Sequence, residues 1–133
     1  MDAQKIAIAQ NCIAGAYADT MSFPQAVGIL MEAGFEGYLV DYRDQTRTHY
    51  LPNGETLVLP TPAEDGPVAE HFDGAAISAL IRWAQSGAAD YTYAAFNRQV
   101  TAAGCAGYLV SFTGRRVVYF GRIGELHVEH FPD

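Results

Sequence analysis

The stretch Ala33-Gly34-Phe35-Glu36-Gly37-Tyr38-Leu39-Val40 returns seventy residues later as Ala103-Gly104-Cys105-Ala106-Gly107-Tyr108-Leu109-Val110, with six of the eight positions identical. The match runs outward in both directions. Phe23 falls on Tyr93, Leu30 on Val100, Gly54-Glu55 on Gly124-Glu125, Val58 on Val128 and Pro62 on Pro132. Between the strands the alignment takes two compensating single-residue gaps, which set Tyr50 against Tyr119. Repeats of this kind are the first thing a sequence should be searched for, because they dictate the architecture. The expectation is a single domain over 1–133, built as an internal duplication: repeat 1 over 1–66 and repeat 2 over 67–133. A chance likeness between two helix–turn–strand patterns is the plainer alternative, and the length of the match argues against it.

Each repeat reads as two helices and three strands. Asp2 caps a helix reaching to about Tyr17, with Ile6, Ile13 and Tyr17 at helical spacing. Ser22-x-x-Gln25 is a capping box, and Pro24 is tolerated in the first turn. Gly34 follows as a left-handed helix stop. Residues 38–43 alternate as a strand, with Tyr38, Val40 and Tyr42 on one face and Leu39, Asp41 and Arg43 on the other. Residues 47–51 and 56–59 give the next two strands around the turn Pro52-Asn53-Gly54, and 61–67 the linker. In the second repeat, Asp73 caps a helix over 75–85 with Ile77, Leu80, Ile81 and Ala84 inward. Thr92 or Asp90 opens the next helix. Strands follow over 107–113, 115–120 and 125–131. The fold class is therefore α+β: two ααβββ units, with helices on one side of antiparallel sheet. One six-stranded sheet and two three-stranded sheets both fit this pattern. Units of about 65 residues bury little surface alone, so the halves should share one core about a pseudo-twofold.

Composition narrows the function. The 133 residues are 50% apolar and 17% charged, enough for a packed core. A net charge of −7 argues against nucleic-acid binding. No apolar run is long enough to span a membrane. The start, Met1-Asp2-Ala3-Gln4-Lys5, lacks the layout of a signal peptide, so with only Cys12 and Cys105 a reducing cytoplasm and free thiols are expected. The charge is lopsided: residues 1–70 carry ten acids and three bases, residues 71–133 five of each.

Several residues invite chemistry. Asp41 and Arg43 share a strand face, and His49 on the next strand could reach them. Their places in the second repeat are Ser111, Thr113 and Val118, so this group would be an asymmetric site; a solvated sheet face with an ion pair is the bland reading. His127 and His130 point to opposite faces of a strand, whereas His127 and Glu129 share one. A metal site there would need a third ligand from His49 or His71, and no metal or cofactor is expected. Cys105 follows a helix C-terminus, which disfavours a thiolate, and Phe35 occupies its place in repeat 1, so it reads as core. Arg115 and Arg116, with Arg122, make a basic hairpin suited to a phosphate or an acidic partner, or simply to blunting an edge strand and keeping the surface charged. Tyr38, Tyr42, Tyr108 and Tyr119 have apolar bodies and polar tips, and a groove between the halves lined by them is the first place to look for a ligand.

The segments around Ala102–Tyr108, Thr113–Arg122 and His127–Pro132, together with Gly37-Tyr38 and Asn53-Gly54-Glu55-Thr56, are similar to a bacterial and phage family whose members often carry the label "phage envelope protein". The resemblance covers nearly the whole chain and implies no activity, cofactor or catalytic residue. The expected function is a non-catalytic protein- or ligand-binding module, with a homodimer or protein partner left open. A small enzyme using Asp41, Arg43 and His49, or His127 and Glu129, in the groove is the alternative.

Overall fold

The computed structural model describes residues 1–62 and 66–132; positions 63–65 of the expected linker lie outside them. Among the described residues ten elements occur, in the order ααβββ ααβββ. They are α1 (Ala3–Tyr17), α2 (Phe23–Glu32), β1 (Gly37–Asp41), β2 (Thr46–Tyr50), β3 (Thr56–Pro60), α3 (Gly74–Gln85), α4 (Tyr93–Ala102), β4 (Cys105–Ser111), β5 (Arg116–Gly121) and β6 (Leu126–His130). Each helix starts where a side chain satisfies a free backbone N–H. Asp2, Asp73 and Thr92 accept from Lys5, Ala76 and Ala95. Ser22 and Gln25 exchange both bonds of the capping box. Asp90 is not a cap; it accepts from the Trp83 indole instead.

The six strands form one antiparallel sheet in the order β3-β2-β1-β4-β5-β6. Its centre is the β1–β4 pair, in which Leu39 stands opposite Leu109 and Gly37 and Asp41 stand opposite Ser111 and Gly107. These partners are related by the seventy-residue offset, so the pairing is symmetric about one point. Two bonds extend it at the ends: Phe112 N–H donates to the Glu36 carbonyl, and Tyr42 N–H to that of Ala106. Glycine is needed at both Gly37 and Gly107. A Cβ at Gly37 would run into the Val110 carbonyl oxygen, and one at Gly107 into that of Val40.

The same offset holds throughout the sheet. Tyr38 pairs with His49 as Tyr108 pairs with Tyr119, and His49 pairs with Leu57 as Tyr119 pairs with His127. This corrects the alignment. No gaps are needed between the strands: Tyr50 matches Phe120, and His49 matches Tyr119 rather than Val118. The repeated order is a property of the fold, and descent by duplication remains a reading of the sequence match.

One face of the sheet packs under the helices. Tyr38, Val40, Tyr42, Tyr108, Val110, Phe112 and Val117 join Cys12, Leu30, Ile77, Phe96 and Val100 in one core that draws on both halves. The opposite face is open. Across it runs a row of paired residues, Val58, Thr48, Leu39, Leu109, Val118 and Val128.

Gly34 and Gly104 both end a helix at positive φ, +100° and +94°. A Cβ at Gly34 would meet only the Lys5 side chain at 3.8 Å, whereas at Gly104 it would collide with the His71 backbone. Gly34→Val should therefore cost about 1–2 kcal/mol from the left-handed backbone alone, and Gly104→Val distinctly more. Chemical denaturation of both variants checks this; equal losses would mean that the His71 segment yields freely.

Candidate functional site

A cleft of about 1120 Å3 opens between the two halves on the helical side of the sheet. Its walls are apolar: Phe23, Val27 and Met31 from α2, Ile81 and Ala84 from α3, Phe96 from α4, and Phe131 near the C-terminus. Its floor is polar and aromatic, made of Tyr38, Arg47, Tyr93, Tyr108 and Tyr119.

Arg47 dominates this floor. It lies on β2 with 2% of its surface exposed. Its guanidinium carbon sits 4.6 Å from the centroid of the Tyr38 ring and 5.9 Å from that of Tyr93. One terminal nitrogen, Nη2, donates to the Tyr93 hydroxyl at 2.9 Å. That hydroxyl in turn shares a short hydrogen bond with Tyr108 Oη. The Nε donor is buried and, among the described residues, has no hydrogen-bond partner. Among the described residues no carboxylate forms an ion pair with Arg47. The two acids that line the cleft are engaged elsewhere: Asp19 accepts from the Tyr93 backbone N–H at 3.0 Å, and Glu129 bonds His127 at 2.8 Å.

The phenols do not neutralise this cation. Burial pushes Tyr38, Tyr108 and Tyr119 up, so all three stay protonated. Burial works against the guanidinium, while the Tyr93 hydroxyl oxygen and the Tyr38 ring face favour it, and the net direction is upward, so Arg47 stays a cation. A buried cation without a carboxylate costs several kcal/mol in desolvation. Stacking on aromatic faces offsets only part of that, about 2 kcal/mol for a desolvated pair.

His49 stands beside this floor, outside the cleft lining. It is fully buried, with its ring centroid 5.7 Å from that of Phe35 and 5.8 Å from that of Tyr38. Among the described residues neither ring nitrogen reaches a partner at hydrogen-bonding geometry, although the Leu57 backbone is near enough to favour the cation weakly. Burial, and secondly the charge of Arg47, pull its pKa down to about 4.

The other residues singled out in the sequence fall in separate places. Asp41, Arg43 and His49 are not brought together. His49 faces the core opposite Tyr38, whereas Asp41 Oδ1 accepts from the backbone of Arg43 and Asp44 at 2.9 and 3.1 Å and shapes the β1–β2 turn. Arg43 is exposed in that turn. His127 and Glu129 do share a face and bond each other, and the described residues hold no cluster of three or more metal-ligating groups. Arg115 lines the cleft rim, donates to the Pro132 carbonyl at 2.8 Å and lies over Phe131; Arg116 bonds the Gly114 carbonyl outside it. Tyr38, Tyr108 and Tyr119 line the cleft. Tyr42 does not; its hydroxyl donates to Asn97 Oδ1 at 2.6 Å inside the core. Cys12 and Cys105 are buried and free, and burial raises both thiols, Cys105 to about 11.

Sequence reasoning missed Arg47, Tyr93 and Asn97. The signal for Arg47 was present: at a constant offset it falls on Val117, and His49 on Tyr119, both inward positions. The misplaced gap hid this. No helix among the described residues is long and apolar enough to cross a membrane. Comparison with models of known protein families and with curated proteins finds no match.

The buried neutral His49 makes stability depend on pH. The folded pKa lies below the unfolded value near 6.5, so the unfolded chain takes up the proton first, and stability is full above pH 6.5 and falls as the pH drops toward 4. Between pH 7 and pH 4.5 this residue should remove roughly 2–3 kcal/mol. Denaturant titrations of wild type and His49→Leu at both pH values check this; identical losses would show that His49 is not the group responsible.

Proposed function

We propose that this protein is a non-catalytic module that holds a small organic ligand in the cleft between its halves, with Arg47 as the group that recognises it. The observation that carries this reading is a buried arginine on the cleft floor with a free Nε donor and, among the described residues, no carboxylate to neutralise it. A charge placed so is costly to the fold, and a ligand that completes it recovers the cost. The apolar walls suit the body of such a ligand, as in most small-molecule sites.

The catalytic alternative has less behind it. Catalysis needs a nucleophile or a base within reach of a bound substrate. The thiols are buried with raised pKa, and His49 is outside the cleft lining. Besides its phenols and arginines, the titratable groups of the lining are Asp19, which accepts from the Tyr93 backbone N–H, Glu129, which bonds His127, and His130, and the described residues hold no cluster of three or more metal-ligating groups. The likeness to phage-envelope-labelled proteins fits a binding module as readily as any other role, and a bacterial or phage origin is part of the proposal.

The test uses an environment-sensitive probe, anilinonaphthalene sulfonate, and two substitutions that fill the cleft from opposite walls. Gly28 lies on α2, and a Cβ there meets nothing within 4 Å. Ala84 lines the facing wall on α3. Gly28→Trp and Ala84→Trp should each weaken probe binding at least tenfold while thermal unfolding stays cooperative. A probe held on the open sheet face would ignore both substitutions, and that result would contradict the proposal.

A further inference from the structure

The chemistry of the cleft also points to a class of ligand, an assignment that rests on the reading of the cleft as a ligand site. We infer that its ligand is an amphipathic monocarboxylate: a single carboxylate head seated on Arg47, and an unbranched or lightly substituted apolar chain lying along the cleft toward its mouth.

The head group follows from counting donors and charges. The floor holds one cation, Arg47, with one terminal nitrogen spent on Tyr93 and Nε unspent. The Tyr93–Tyr108 hydrogen bond consumes one hydroxyl proton and leaves the other to be donated. A carboxylate entering the floor would be drawn by the guanidinium charge and could accept from the unspent Nε–H and from the remaining hydroxyl. A neutral head group would leave the guanidinium charge uncompensated. A dianionic head would exceed it; the second cation of the lining, Arg115, is bonded to the Pro132 carbonyl, and the lining also carries Asp19 and Glu129. The chain as a whole carries −7, which adds long-range repulsion against multiply charged ligands.

The chain of the ligand follows from the walls. Between floor and mouth the cleft is faced by Met21, Phe23, Val27, Met31 and Ile81. Methionine is flexible and adapts to a mobile alkyl chain better than to one rigid shape. Phe23 and Met31 are 42% and 51% exposed, an apolar lip at the place where a chain would emerge. A cleft of about 1120 Å3 is larger than a compact aromatic acid fills and admits a chain of medium length.

Isothermal titration of the full chain with decanoate, 1-decanol and decyl phosphate tests this, with Arg47→Met, Tyr93→Phe and Gly28→Trp as variants. Decanoate should bind wild type at least tenfold more tightly than decanol or decyl phosphate. Arg47→Met should bring decanoate down to the level of decanol, and Tyr93→Phe should weaken decanoate severalfold while leaving decanol unchanged, which guards the test if Arg47→Met folds poorly. Equal binding of decanol and decanoate, with both lost in Gly28→Trp, would overturn the carboxylate assignment and leave the cleft reading standing. Tighter binding of decyl phosphate would overturn it in favour of a dianion. Binding of none of the three would overturn this inference, and the cleft reading would fall with it only if the naphthalene sulfonate probe also ignored the two tryptophan substitutions.

Discussion

The positive charge of Arg47, buried under α4 against the sheet, is the constraint around which this molecule is arranged. Its charge cannot leave, since a guanidinium does not deprotonate in the accessible pH range. The protein therefore surrounds it with what tolerates a cation: the Tyr38 ring face, the Tyr93 hydroxyl and, through that, Tyr108. These groups soften the cost and do not cancel the charge. The same charge helps to hold neighbouring His49 neutral. Two features that look independent, an unneutralised arginine and a histidine whose ring nitrogens lack partners, are thus linked through one charge.

The frame that holds Arg47 is symmetric, and the site is a departure from that symmetry. Leu39 faces Leu109 at the centre of the sheet, and the two outer strands on each side follow at the same offset. Inward positions of β5 are Val117 and Tyr119, which pack in the core and line the same cleft without bringing a charge to it. The matching positions of β2 are Arg47 and His49. Val117 and Tyr119 in one half thus stand where the other half has Arg47 and His49, at equivalent register positions of the sheet. That contrast is a stronger pointer to function than either residue alone, because the second half shows that the fold does not require them.

Much of the frame was legible in the sequence, and most of the site was not. Caps and turns act locally: Ser22 with Gln25, Asp2, Asp73 and the left-handed Gly34 and Gly104 each announce themselves within a few residues. The groove tyrosines Tyr38, Tyr108 and Tyr119 were legible because strand alternation places them on the apolar face. Arg47 was not, for the same reason: alternation assigns a charged residue outward, and here tertiary structure overrides it. In 46–50 the inward residues are Arg47 and His49 while Thr46, Thr48 and Tyr50 face out, so polarity gives no guide to the face. The grouping of Asp41 and Arg43 with His49 failed on this point, since His49 sits on the opposite side of the sheet. Tyr93 and Asn97 fall inside the helix that Thr92 opens, and their polar atoms matter only once α4 lies over the sheet, where they meet Tyr42, Arg47 and Tyr108.

The most direct measurement is the unfolding free energy of Arg47→Met against wild type, both refolded from denaturant so that no small molecule is carried along. Methionine keeps most of the volume and removes the charge. If Arg47 is held for a ligand at the expense of the fold, the variant should be more stable than wild type by roughly 1–4 kcal/mol, the gain usual when buried charges are replaced by apolar residues of similar size. A variant less stable than wild type would show that Arg47 serves the fold itself, and the cleft would lose its claim to be an anion site.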